Sequence, residues 1–161
     1  MLDHTDFQIL SRLQEDARVP VAQIAREIDL APSAVHQRIQ KLEDSGVIRG
    51  YEVRLDPRKL GRALASFVRV QTGEGASAPE ITQALVEIPE VQEVHRVVGE
   101  DCFFVKVRVE DPQALAELLD HTIQRIPNVA STHTTIVLAT AKETHCLPLP
   151  LEEASMREPE A

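Results

Sequence analysis

Along residues 31–48, APSAVHQRIQKLEDSGVI, the apolar positions Val35, Ile39 and Leu42 recur at helical spacing. At about 100° of rotation per residue they fall within roughly 60° of one another, so they form one buried seam. Ser33, Gln37, Gln40 and Lys41 then lie on the far side, with His36 and Arg38 on the flanks. Pro32 sits at a favoured first-turn position, and Ser45-Gly46 ends the helix with a glycine suited to a left-handed cap. Two helices precede it. Asp3 is a good N-cap, Asp6 adds negative charge to the first turn, and Leu2 and Phe7 have the spacing of a hydrophobic staple. That helix runs to about Asp16 with Phe7, Ile9, Leu10 and Leu13 inward. Pro20 opens the next, where Val21, Ile24, Ala25 and Ile28 repeat at i, i+3, i+4 and i+7. Only Asp29-Leu30-Ala31 separates it from the third, and two short helices around so tight a turn make a helix-turn-helix.

Past Gly46 the pattern changes. VIRGYEVRL (47–55) is strand-like and basic at Arg49 and Arg54; it reads as a connector, with an approach to the DNA backbone as the alternative. 56-DPRKLG-61 reads as a hinge, because the residue before a proline is pushed out of the helical region. The following module repeats itself. ALASFVRVQT (63–72) alternates as a strand, Ser77 to Glu80 gives a capping box before a helix with Ile81, Leu85 and Ile88 inward, and VQEVHRVV (91–98) is a second strand. CFFVKVRV (102–109) begins the second round, Asp111-Pro112 opens a helix striped by Leu115, Leu118, Leu119, Ile123 and Ile126, and VASTHTTIVLATA (129–141) is the last strand. Each helix ends in the same phrase, Ile88-Pro89-Glu90-Val91 and Ile126-Pro127-Asn128-Val129. The order βαββαβ predicts a ferredoxin-like sandwich, and the fold class is α+β. Two helices cover one face of such a sheet, whereas FVRV and FFVKV carry apolar residues on both sides. The second face calls for a partner, and a homodimer through the sheet would set two helix-turn-helix units about a two-fold axis, matching a pseudo-palindromic operator.

Charge refines this picture. The net charge of −9 is a sum of unlike parts: residues 1–55 hold 7 Lys/Arg against 9 Asp/Glu, residues 56–142 hold 9 against 12, and residues 143–161 hold 1 against 5. Acidity therefore concentrates in the tail, and the domain with the helix-turn-helix is close to balanced. The stretch LPLPLEEASMREPEA predicts an extended and then frayed terminus, with a flexible acidic tail over 151–161. Apolar residues make up 43%, enough for a core, and neither a secretory leader nor an 18-residue apolar run is present, so a cytoplasmic protein without membrane association is expected. Cys102 and Cys146 read as thiols, with no disulfide framework and no metal-ligand spacing around His95, His133 and His145. No nucleophile motif or phosphate loop appears, which argues against an enzyme, and no cofactor is expected.

Gln pairs with adenine edges, Lys and Arg with guanine edges or phosphates, and Ser with either, so Ser33, His36, Gln37, Arg38, Gln40 and Lys41 are the candidate DNA-binding residues. A solvated polar face would look similar on an isolated helix; the tri-helical context favours DNA. Glu43 and Asp44 repel phosphate, which places base contacts toward the start of the helix. His36 reads equally well as a neutral surface residue.

The ordered run from DHTDFQILSRLQEDARVPVAQIAREIDLAPSAVHQRIQKLEDSGVIRGYEVRLDPRKLG to the βαββαβ module with VVGEDCFFVKVRV resembles the Lrp/AsnC family of feast/famine transcription regulators over roughly residues 2–150. The resemblance implies an N-terminal winged helix-turn-helix and a C-terminal amino-acid-sensing domain that dimerises and often assembles dimers into octamers. It also implies a small-molecule effector, commonly an amino acid, bound between dimers near the loop joining the second and third strands. Gly99 matches the family's loop glycine, and Glu100 and Asp101 follow it; Cys102 stands where the family usually carries Asp. Glu100 or Asp101 would substitute for that carboxylate in holding an amino group, and Thr132, Thr134 and Thr135 offer hydroxyls, although strand propensity alone accounts for threonines there. Ala31 stands where an N-cap Ser would be expected, at a cost on the order of 1 kcal/mol. The expected organisation is a DNA-binding domain over 1–55, a hinge over 56–62, and an effector-binding and oligomerisation domain over 63–150. The expected function is sequence-specific transcription regulation responsive to a small molecule; the alternative is a stand-alone amino-acid sensor acting through protein partners.

Overall fold

The computed structural model describes residues 2–99 and 102–151. The described residues fold as two compact units, one of residues 2–53 and 143–151, the other of residues 54–99 and 102–142. Residues 143–150, which the expected organisation places in the second domain, group here with the first unit.

In the first unit, α1 (His4–Glu15) opens with a full capping box: Asp6 N–H donates to Asp3 Oδ1 at 2.8 Å and Asp3 N–H donates to Asp6 Oδ2 at 3.1 Å. α2 (Val21–Glu27) follows Pro20, and α3 (Pro32–Asp44) follows Ala31, which makes no side-chain cap. The turn between them is tight because Asp29 adopts φ 55°, letting Leu30 N–H reach back to Ala25 O at 2.9 Å. Gly46, at φ 73°, does the same service after α3, and Ile48 N–H returns to Leu42 O at 3.0 Å. Ile9, Ile24, Ala25, Val35, Ile39 and Leu42 meet in one core, joined by Val19. Each larger side chain buried there stabilises by roughly 1.5–3 kcal/mol, and the seam read from helical spacing is the seam that is buried. Residues 47–55 form no strand ladder among the described residues and run as an irregular connector.

The second unit is a four-stranded antiparallel sheet in the order β2-β3-β1-β4, with β1 Leu64–Thr72, β2 Val91–Arg96, β3 Phe103–Val109 and β4 Val129–Ile136. α4 (Ala78–Val86) and α5 (Pro112–His121) make the crossovers, giving βαββαβ. Asp111 caps α5 through Ala114 N–H at 2.8 Å, whereas Ser77 precedes α4 with no side-chain cap bond, so the capping box expected there does not form. α5 stops at His121, and Ile123 is carried into the core by a short 3-10 turn, Ile123–Arg125. β4 ends at Ile136 rather than running to residue 141. Asn128 takes φ 65° in the second of the two Ile-Pro phrases, turning the chain into β4.

β3 alternates strictly: Phe103, Val105, Val107 and Val109 are buried, with Phe104, Lys106 and Arg108 half-buried on the other side. Val68 and Val70 of β1 join the first set, packed with Ile81, Leu85, Ile88, Leu115, Leu118 and Ile123 of the helical layer. Phe67 and Phe104 stack on the opposite face with ring centroids 5.2 Å apart. Around them the register sets Arg69 across from Phe104 and His133, and Phe67 across from Lys106 and Thr135. Glu93 flanks this centre, accepting from Lys106 Nζ at 2.9 Å; that bond, against the opposing effect of burial, holds its carboxyl below the usual range, helped by His95. The helix-free face therefore has an apolar aromatic centre with a charged surround.

Candidate nucleic-acid interface and effector region

α3 is anchored by its apolar seam, and that anchoring decides what it shows to solvent. Ser33, His36, Gln37, Gln40 and Lys41 are exposed. Ser33, Gln37 and Lys41 follow one another at i, i+4 along one row, and His36 and Gln40 make the next. Two amides, a hydroxyl, an imidazole and an ammonium thus occupy one side of a 13-residue helix held at its back by Val35, Ile39 and Leu42. Donors and acceptors in that arrangement match the edges presented in a major groove.

Arg38 departs from this set. Its guanidinium turns to the start of α1, with Nη1 2.7 Å from Asp3 Oδ2 and 2.7 Å from Asp6 Oδ1. Arg38, expected as a phosphate ligand, has its charge met inside the unit, with its side chain 33% exposed. The physical cause is the capping box, which gathers two carboxylates where α3 passes. At Asp3, partial desolvation pushes the carboxyl up, but the Asp6 amide and the hydrogen bond and charge of Arg38 push it down and prevail, leaving it below its ordinary value. Arg12 is likewise occupied, by Glu15 and by Glu27 at 2.6 Å, which ties α1 to the end of α2. At the far end of α3, Tyr51 Oη donates to Glu43 Oε1 at 2.9 Å, and its phenol is pushed up to about 12 by burial and then by that carboxylate. Tyr51 was not legible as a partner of Glu43, because nothing in strand-like spacing marks it.

The described effector candidates are spread over two parts of the sheet. Gly99 and Cys102 lie at the β2–β3 turn; Glu100 and Asp101 fall outside the described residues. Cys102 N–H donates to Val70 O at 3.1 Å, and its sulfur accepts from Thr72 Oγ1 at 3.0 Å, so the end of β1 supports this turn. Thr132 and Thr134 stand beyond β1, opposite Val70 and Val68, about two strand spacings or ~10 Å from the β3 side. The same register turns them toward the helical side; Thr132 accepts from Gln124 Nε2 at 3.2 Å, and Thr135 shares the helix-free face with Phe67. Within one chain the residue beside Cys102 is Thr72, and Thr132 and Thr134 stand one strand further on. Among the described residues, no three or more His, Cys, Asp or Glu side chains are grouped as metal ligands. No helix among them is long and apolar enough to cross a membrane.

Comparison with known proteins decides the family. Residues 2–49 match the family described as winged helix-turn-helix DNA-binding, and residues 65–147 match the Lrp/AsnC ligand binding domain. The chain belongs to the Lrp/AsnC family. It is 38% identical over 148 residues to the HTH-type transcriptional regulator FL11 of Pyrococcus horikoshii, covering 92% of this chain and 97% of that protein. To the leucine-responsive regulatory protein of Escherichia coli (strain K12) it is 33% identical over 150 residues, covering 91% and 90%. Among solved structures it resembles the transcriptional regulator NMB0573/L-Met complex from Neisseria meningitidis, with a TM-score of 0.88, 28% identity and coverage of 93% and 98%. It also resembles E. coli AsnC, with a TM-score of 0.86, 28% identity and coverage of 92% and 99%. This Lrp/AsnC chain is accordingly a DNA-binding transcription regulator with an N-terminal winged helix-turn-helix and a C-terminal ligand-binding domain.

Proposed function

We propose that the protein reads a pseudo-palindromic operator as a homodimer in the cytoplasm and that an amino acid modulates this binding. The observation that carries the DNA assignment is the exposed row Ser33, Gln37, Lys41 with His36 and Gln40 beside it, on a helix whose opposite side is fixed in the core. In this reading Gln37 and Gln40 address base edges, Ser33 and His36 support them, and Lys41 meets phosphate or guanine. The DNA-binding domain spans 1–55 and the hinge 56–62.

The stacked Phe67 and Phe104, bordered by Arg69, Lys106, Glu93 and His133, form the surface through which two copies pair, an apolar centre with a polar rim. Octamers would then form from such dimers. An amino-acid effector is supported by the L-Met bound to the Neisseria relative. Its site here would be built around Gly99, Glu100, Asp101 and Cys102, with Thr132 and Thr134 offering hydroxyls and Thr72 beside Cys102 adding another. Such a ligand acts only by binding one dimer or assembly geometry better than another.

The test is base preference. Gln37→Ala should retain folding and non-specific DNA binding but lose discrimination at one base pair, by roughly 1–3 kcal/mol. Selection from a randomised operator pool that yields the same consensus for Gln37→Ala and wild type would overturn the assignment of α3.

A further inference from the structure

Gln14, in the last turn of α1, holds a piece of chain more than a hundred residues away. Its side-chain Nε2 donates to Leu147 O at 3.1 Å, and its Oε1 accepts from Leu147 N–H at 2.7 Å. One amide thus pairs both backbone groups of Leu147, as a neighbouring strand would. The Gln14 carbonyl, among the last four of α1 and without an acceptor role inside the helix, receives Cys146 Sγ–H at 3.6 Å. Thr144 Oγ1 accepts from Cys146 N–H at 3.1 Å, which shapes the approach. Leu149 and Leu151 are half-buried and linked by Leu151 N–H to Leu149 O at 2.9 Å. Pro148 and Pro150 stiffen this stretch, so less conformational freedom is lost when it docks.

The chain leaves the first unit at residues 53–54, builds the second unit, and comes back at 142–143. The two units are therefore joined twice, once through the hinge and once through this returning segment. We propose that residues 143–151 are a releasable strap, clasped by Gln14, that restrains the helix-turn-helix unit on its hinge. With the strap docked the unit is held at both ends; with the strap released it is held by the hinge alone and samples more orientations. Leu147 is 71% exposed, so water competes for its backbone groups and the clasp opens readily. The consequence for DNA builds on the operator-binding function proposed above: a dimer whose two reading heads are pre-oriented gives up less freedom when both engage.

Hydrogen exchange on the full-length protein tests the clasp directly. Gln14→Ala, a substitution that favours helix, should speed exchange at the Leu147 amide about ten-fold, the worth of one to two neutral hydrogen bonds, and leave the Ile9 amide unchanged. Gln14→Glu keeps the acceptor for Leu147 N–H and loses the donor to its carbonyl, so its rate should fall between. Equal Leu147 exchange in wild type and Gln14→Ala, or acceleration at Ile9 together with Leu147, would overturn the strap. The DNA arm compares a fragment with two half-sites and one with a single half-site. Gln14→Ala should bind the first about three- to ten-fold more weakly and the second equally well; the same ratio of affinities on both fragments would overturn restraint of the reading heads. Failure of wild type to bind either fragment would count against the operator-binding function and against that restraint, while the exchange rates would still judge the clasp.

Discussion

Replacing Arg38 with alanine separates two roles for an α3 cation that turns inward. The guanidinium bridges Asp3 and Asp6 at 2.7 Å each, with Asp6 14% and Asp3 53% exposed. Buried hydrogen bonds to charged groups are worth about 1.5–3 kcal/mol and exposed ion pairs about 0–1 kcal/mol, so this intermediate site should contribute about 1–2 kcal/mol. Arg38→Ala also leaves the two capping-box carboxylates facing one another without their counter-charge. Because Asp3 titrates below its ordinary 3.8 in the folded protein, its contribution is fully present above about pH 4, where unfolded chains are ionised, and is lost as pH falls through the folded value. Urea unfolding of wild type and variant from pH 7 to pH 2.5 should therefore show a gap of about 1–2 kcal/mol at neutral pH that narrows below pH 4. DNA binding by folded Arg38→Ala should keep its salt dependence. Unchanged stability at pH 7, with a salt slope shallower by about one unit, would refute the stabilising role of the Arg38 bridge and favour Arg38 as a phosphate ligand.

Lys41→Ala is expected to do what Arg38→Ala does not: weaken binding to all sequences and reduce the salt slope by about one, measured by anisotropy titrations between 50 and 200 mM salt. Ala31→Ser should stabilise the first unit by about 1 kcal/mol in thermal or urea unfolding, because α3 starts with no side-chain cap and Ala31 already has the extended backbone of a cap, φ −69° and ψ 139°. Ser66 is fully buried, and its hydroxyl has no hydrogen-bond partner among the described residues; Ser66→Ala should be neutral or stabilising by up to about 1 kcal/mol, read by the urea midpoint.

Local periodicity carried most of the architecture. Val35, Ile39 and Leu42 are spaced so that only a helix buries them together, and the strict alternation of Phe103 to Val109 allows only a strand with one covered face. Asp111 worked as an N-cap because its oxygen need only reach a neighbour three residues away. The sequence is silent where a partner distant in sequence, or an end effect, decides the outcome. Arg38 looked like a flank residue of α3 because its partners lie 32 and 35 residues earlier. The apolar letters after Ile136 look like strand, yet β4 stops there and the chain returns to the first unit. Gln14 gives no hint of Leu147, 133 residues on. Thr132 and Thr134 were grouped with Cys102 by their chemistry, whereas sheet order interposes β1.

The claim that most needs direct measurement is that this regulator binds DNA by sequence and responds to an amino acid. Binding of the purified protein to its own upstream DNA and to a scrambled control, across a salt series and with and without a pool of amino acids, tests both halves at once. Preference for the native fragment that persists as salt rises, and that shifts with one amino acid on subdividing the pool, is the expected result. Equal affinity for the two fragments at every salt concentration, unaffected by any amino acid, would contradict it.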